Sequence, residues 1–141
     1  MIRYQALIQK DGTVYAVSFP DLPGCFSSGD TRQAAEENAR EALSLYLEEA
    51  RDPKWDVPTP KARTSKRYVW VHPFVDIAVP LMIRQARRSR GLTQKQLAER
   101  LRVTLQQLQK LETPGRSNPT VKTLAAISEA LEEALEINLV A

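Results

Sequence analysis

Two helix starts eleven residues apart constrain this chain more tightly than any other feature. Thr93 with Gln96, and Thr104 with Gln107, each match a capping-box pattern. In such a box the threonine oxygen accepts from the third helical amide while the glutamine reaches back to the cap amide. Two starts this close argue against one long helix. LTQKQLAERLRVTLQQLQKLE, Leu92 to Glu112, therefore reads as two short helices with a tight turn between them. Leu97, Leu101, Val103, Leu108 and Leu111 supply the apolar positions, and Ala98 is small where the helices must approach.

This is helix-turn-helix spacing. With IRQARRSRG before it and NPTVKTLAAISEAL after it, the segment resembles the Cro/C1 (XRE) family of DNA-binding domains. Arg102 departs from that family, which usually has glycine in the turn, and a left-handed residue other than glycine costs about 1 to 2 kcal/mol. The resemblance implies that the helix from Thr104 to Glu112 enters the major groove. Thr104 starts that helix, and Leu105, Gln106, Gln107, Gln109 and Lys110 become its groove candidates. Glutamine can bond adenine N6 and N7 together, lysine can reach guanine, and leucine can touch a thymine methyl. Gln94 at a helix start, with Arg116, Ser117 and Asn118 in the following loop, suits backbone contacts.

Charge is distributed to match. Residues 1–60 carry 6 Lys/Arg against 10 Asp/Glu, 61–77 carry 4 against 1, and 78–141 carry 10 against 6, behind a net +3. Arg84, Arg87, Arg88, Arg90, Lys95, Arg100, Arg102, Lys110, Arg116 and Lys122 form a basic stretch suited to phosphates.

The first half reads as mixed α+β. IRYQALIQ and TVYAVSF around Asp11-Gly12 form a β-hairpin. FPDLPGC, Phe19 to Cys25, leaves the ladder because its two prolines cannot donate, and CFSSG resumes as a third strand. Asp30 or Thr31 caps a helix through Ala50, with Ala35, Ala39, Ala42, Leu43 and Tyr46 on its packing face. The proline-bearing segment 51–66 reads as a connection, and RYVWV as a fourth strand with Tyr68 and Trp70 in the core. PFVDIAVP is open between linker and helix start, since Pro80 suits only a first turn. A boundary near residue 75 gives two domains, 1–75 and an all-α 76–141. At the C-terminus, EALEINLVA reads either as a strand, with Leu135, Ile137 and Leu139 opposite Glu136, Asn138 and Val140, or as continuation of the last helix. A strand would pair with its copy to give a homodimer or higher oligomer.

Several chemistries find no support. Cys25 is the single cysteine, and His72, the single histidine, lies 47 positions away in an apolar run, so a Cys–His nucleophile is disfavoured. No metal-ligand spacing, Gly-rich phosphate loop or serine elbow is present, and no cofactor or enzymatic activity is expected. With 43% hydrophobic residues the chain can build a core, yet it has no run near the roughly 18 apolar residues of a membrane span and no signal-like h-region. A cytosolic protein is expected.

FPDLPGC, the SGDT lead into the helix, EENAREAL and LYLEE, in that order ahead of a helix-turn-helix, resemble the HicB family of antitoxins from bacterial toxin–antitoxin pairs. The resemblance implies a partial RNase H-like β-β-β-α-β domain that covers the RNA-cleaving toxin HicA. It also implies repression of the shared operon by the DNA-binding part. An acidic first domain suits a basic partner, which nominates Cys25, Phe26, Ser27, Ser28, Asp30, Glu37 and Glu41 for the toxin interface. A nuclease reading is disfavoured because Asp11, Asp21 and Asp30 fall in turns and at a helix start. The competing function is a ligand-responsive transcriptional regulator without a toxin.

Overall fold

The structure, a computed structural model, describes residues 1–52 and 54–139. Strands β1 (Tyr4–Asp11) and β2 (Val14–Ser18) form the expected hairpin, and β3 (Phe26–Gly29), α1 (Arg32–Glu48) and β4 (Tyr68–Val71) follow. The sheet is antiparallel throughout, in the order β3-β2-β1-β4, so β3 and β4 are its edges. Pairing of Ile8 with Val17, and of Tyr4 and Ala6 with Val71 and Val69, puts these side chains on one face. On that face they pack with Ala35, Ala39, Leu43 and Leu47 of α1. Thr31, not Asp30, caps α1, its hydroxyl accepting from the Ala34 amide at 3.0 Å. Gly29 lets β3 close on the first turn of α1: a Cβ there would stand 2.3 Å from the Ala35 nitrogen.

Segment 51–66 corrects the reading of a loose connection. After a 3-10 turn at Glu49–Arg51 its described residues have no regular structure, yet Trp55 and Val57 pack on the core and Trp55 meets Tyr46 edge-on at 5.9 Å. Tyr4 donates its hydroxyl to Pro58 O, and Gln5 exchanges side-chain hydrogen bonds with the Arg63 backbone. The segment is a strap laid over the sheet. Trp70 is also corrected: it is 36% exposed, because its register opposite Gln5 turns it away from α1.

PFVDIAVP resolves as the start of α2 (Val75–Ser89), which carries Pro80 as its sixth residue, beyond the first turn expected for proline. Helix α2 contributes Ile77 and Leu81 to the sheet core and Ile83 to a second core. That second core gathers Leu97, Ala98, Leu108, Ile127 and Leu131 from α3 (Gln94–Leu101), α4 (Leu105–Leu111) and α5 (Val121–Leu131). Helix α5 ends with Glu132 in the left-handed region, so the last helix does not continue. Residues 133–139 show no strand in the isolated chain, and Leu135, Ile137 and Leu139 are exposed; Val140 lies outside the described residues. No helix among the described residues is long and apolar enough to cross a membrane.

Candidate functional site

Both capping boxes form. Thr93 Oγ1 accepts from the Gln96 amide at 3.1 Å and Thr104 Oγ1 from the Gln107 amide at 3.1 Å, while each glutamine Oε1 accepts from its threonine amide at 2.9 Å. Between the helices Arg102 adopts φ 56°, ψ 42°, so the turn keeps a left-handed residue without glycine. Val103, the next residue, packs on the second core, which offsets that backbone cost.

The geometry divides the groove candidates. Leu105, Gln106, Gln109 and Lys110 are exposed on α4, with Thr104 exposed at its cap. Gln107 is exposed too, but its amide oxygen is held by the capping box, so a two-bond adenine contact would open the helix start. Gln94 is half-buried at the start of α3. In the loop before α5, Arg116 and Asn118 are exposed, whereas Ser117 is buried and its hydroxyl has no partner among the described residues. Its side chain does not face a phosphate.

Half of the basic stretch proves structural. Arg87 lays its Nε 2.8 Å from both carboxylate oxygens of Glu112 and donates from Nη1 to Leu92 O at 2.7 Å. Arg84 donates from Nη2 to Glu112 O at 2.9 Å and to Ala50 O at 2.7 Å. All three side chains are buried, and burial holds the Arg84 pKa below its ordinary value against the opposing pull of Glu112. Arg88 pairs with Asp56, Arg90 with Glu133, and Arg100 donates to Ala130 O. Lys95, Arg102, Lys110, Arg116 and Lys122 remain exposed, without an ion pair among the described residues.

Arg84 therefore joins the 3-10 turn that follows α1 to the C-cap of α4. Sequence spacing gave no sign of this, since the partners are 34 and 28 positions away. The sequence signal that could have flagged it is a pair of arginines at helical spacing on an apolar face.

On the sheet side the acidic candidates are accessible. Asp30, Glu37 and Glu41 are exposed, as are Phe26, at 69%, and Ser28, while Ser27 is half-buried against α1. Asn38 donates to Ser28 O at 2.8 Å, fixing the β3 edge on the helix. Cys25 departs from this set. It is 3% exposed, its thiol faces Ala42 O at 3.7 Å, and burial pushes its pKa up to about 11. A thiol kept protonated and out of solvent is a core group, not a contact or a nucleophile.

FPDLPGC is a folded turn. Phe19, Leu22 and Cys25 point into the core, and hydrogen bonds run from the Leu22 amide to Phe19 O and from the Cys25 amide to Leu22 O, each at 3.0 Å. Asp21 projects the other way and takes both Arg63 Nη2 at 2.8 Å and Nη1 at 3.0 Å, plus the Lys61 amide at 2.9 Å. Its hydrogen bonds with Arg63 hold the carboxyl below the usual carboxylate range. The turn is thus the anchor of the strap.

An uncharacterised 14.9 kDa protein from the rep-hol intergenic region of Haemophilus phage HP1 is 37% identical over 79 residues, 56% of this chain and 58% of the phage protein. The match thus spans little more than half of that relative. Antitoxin HicB 2 of Photorhabdus laumondii is 29% identical over 140 residues, 96% of this chain and 95% of that one. A chain of the HicA3 and HicB3 toxin-antitoxin complex aligns with 52% of this chain and 99% of its own at 25% identity and a TM-score of 0.42. The N-terminal domain of Burkholderia pseudomallei antitoxin HicB aligns with 52% and 100% at 27% identity and a TM-score of 0.44. Residues 4–118, most of the length, match the family described as HicB_like antitoxin of bacterial toxin-antitoxin system, and the chain belongs to that family.

Proposed function

We propose that this chain binds and neutralises a HicA-like, mRNA-cleaving toxin through its sheet unit, and represses its own operon by binding operator DNA through α3 and α4. The family match over residues 4–118 carries the antitoxin half. The exposed acids of α1 and the exposed β3 edge offer a surface of the sign that a basic, RNA-binding protein requires. The β-β-β-α-β element order supports the partial RNase H-like description.

For DNA, support comes from two capped helices of eight and seven residues around a left-handed Arg102, the pattern of a Cro/C1-type helix-turn-helix. Gln106, Gln109, Leu105 and Lys110 read base edges, with Gln94, Arg116 and Asn118 on the backbone. Gln107 and Thr104 hold the helix start. The exposed apolar tail at Leu135, Ile137 and Leu139 supports pairing with a second copy, which would present two recognition helices to a two-fold operator. The chain has no catalytic role in this reading, needs no cofactor and works in the cytosol.

Co-purification with the product of the adjacent small gene, followed by an RNA-cleavage assay, tests the proposal. A stable complex with cleavage silenced is the expected result. No complex and uninhibited cleavage would reject it.

A further inference from the structure

We propose that a second copy of this chain docks on the outward stripe of α2, antiparallel to its counterpart about a two-fold axis at Met82. This deepens the pairing of copies inferred above from the tail, and rests on that reading, by assigning it a surface on a helix.

Helix periodicity sets the surface. At 3.6 residues per turn, Val75, Val79, Met82, Ala86 and Ser89 fall within about 80° of arc on α2, at alternating spacings of four and three. That is the seam spacing of paired helices. Val75 is 68% and Met82 39% exposed, Ser89 is exposed, and Val79 and Ala86 are half-buried where α2 also meets the second core. The stripe carries no charge. A surface helix ordinarily turns its charged residues to water, whereas α2 buries Arg84 and Arg87 and leaves Val75 and Met82 outside.

Complementarity selects a second copy. An uncharged stripe offers a basic protein or a polyanion nothing to pair with, but it fits itself. Met82 is the midpoint of the fifteen-residue helix, and antiparallel pairing about it sets Val79 beside Ala86 and Val75 beside Ser89 of the second copy, large against small. Asp76 in the first turn of each helix then meets the basic last turn of the other. Area brings in the tail. Two such helices share a strip roughly 22 Å long and 10 Å wide, short of the about 800 Å² per partner that a stable interface buries. Arg90 donates to Glu132 O at 2.7 Å and pairs with Glu133 at 2.9 Å, so the tail leaves from the C-terminal end of α2. In the antiparallel pair that end lies beside Phe74 and Val75 of the second copy, both exposed, which gives Leu135, Ile137 and Leu139 an apolar surface to cover.

The test is sedimentation equilibrium of the full chain. The native chain should be dimeric, and Met82→Asp should raise the dissociation constant at least about 30-fold. Met82→Leu should keep the dimer, with the far-UV circular dichroism of both variants unchanged. Independently of folding in Met82→Asp, a Met82→Cys chain should be joined by a short bis-maleimide into a covalent dimer, since the native Cys25 is buried. Ser89→Cys should not be joined, because antiparallel pairing holds the two Ser89 positions about 21 Å apart along the helices. Undiminished dimerisation in Met82→Asp, or cross-linking at Ser89→Cys in place of Met82→Cys, would overturn the α2 surface. If Leu135→Asp with Ile137→Asp then dissolved that dimer, pairing through the tail alone would stand. A native chain that stays monomeric at its highest soluble concentration would reject the α2 surface together with the pairing of copies.

Discussion

The Gly115 backbone amide donates to Asp76 O at 3.0 Å. Pro80, four residues beyond Asp76, has no amide with which to make that helical bond, so the loop after α4 completes α2. The proline in mid-helix, the left-handed Gly115 at φ 74° and the position of the loop are one arrangement.

Gly115→Ala should therefore destabilise the chain by about 1 to 2 kcal/mol through backbone strain alone. The new Cβ would also stand 2.9 Å from Glu48 Oε1, displacing that side chain from Arg51. Thermal unfolding reads the effect, and an unchanged Tm would show that the loop relaxes without strain.

Glu112→Ala removes the carboxylate that Arg87 faces in the interior and leaves a buried cation without its partner. The expected loss is about 3 to 5 kcal/mol. The paired replacement Arg87→Met with Glu112→Leu should recover most of it, as measured by urea unfolding. Equal losses in the two proteins would show that the carboxylate does not serve Arg87.

Under the proposed operator reading, Gln106 and Gln107 are neighbours with different duties. Gln106→Ala should lower specific operator affinity by about 1 to 3 kcal/mol while leaving stability alone. Gln107→Ala should cost about 0.3 to 1.5 kcal/mol of stability through the opened capping box. Operator titrations beside thermal melts separate the two. Identical behaviour in both assays would contradict the division.

Asp21 should make the fold acid-sensitive. Its carboxyl is held below the usual range by Arg63, so the folded state keeps it ionised at pH values where the unfolded chain protonates it. Its contribution is fully present above the ordinary carboxylate pKa and is lost as pH falls through the lower folded value. Asp21→Asn should flatten that acid limb of the urea midpoint against pH. A limb of unchanged slope would place the acid sensitivity elsewhere.

What could be read from sequence was local. The boxes at Thr93 and Thr104 and the hairpin at Gly12 each depend on residues within a few positions, and each formed as expected. The misreadings involve partners far along the chain. Segment 51–66 lacks periodicity because its order comes from Asp21, Gln5 and Tyr4, about 40 to 60 positions back. Trp70 looks like core by residue type, but register opposite Gln5 puts it on the outer face. The arginines of α2 look like phosphate ligands until Glu112 is brought against Arg87, and Cys25, nominated with the β3 edge for the toxin, is buried with its thiol on Ala42 O.

The central claim is that the acidic face of α1 and the adjoining β3 edge hold the toxin. Its most direct test is calorimetric titration of the adjacent gene's product into the native chain and into a Glu37→Lys, Glu41→Lys variant of equal Tm. Both residues are exposed on α1. The expected result is tight binding to the native chain and affinity at least about tenfold weaker for the variant, with a slower on-rate. Equal affinity for the two proteins would contradict the assignment of this face to the toxin.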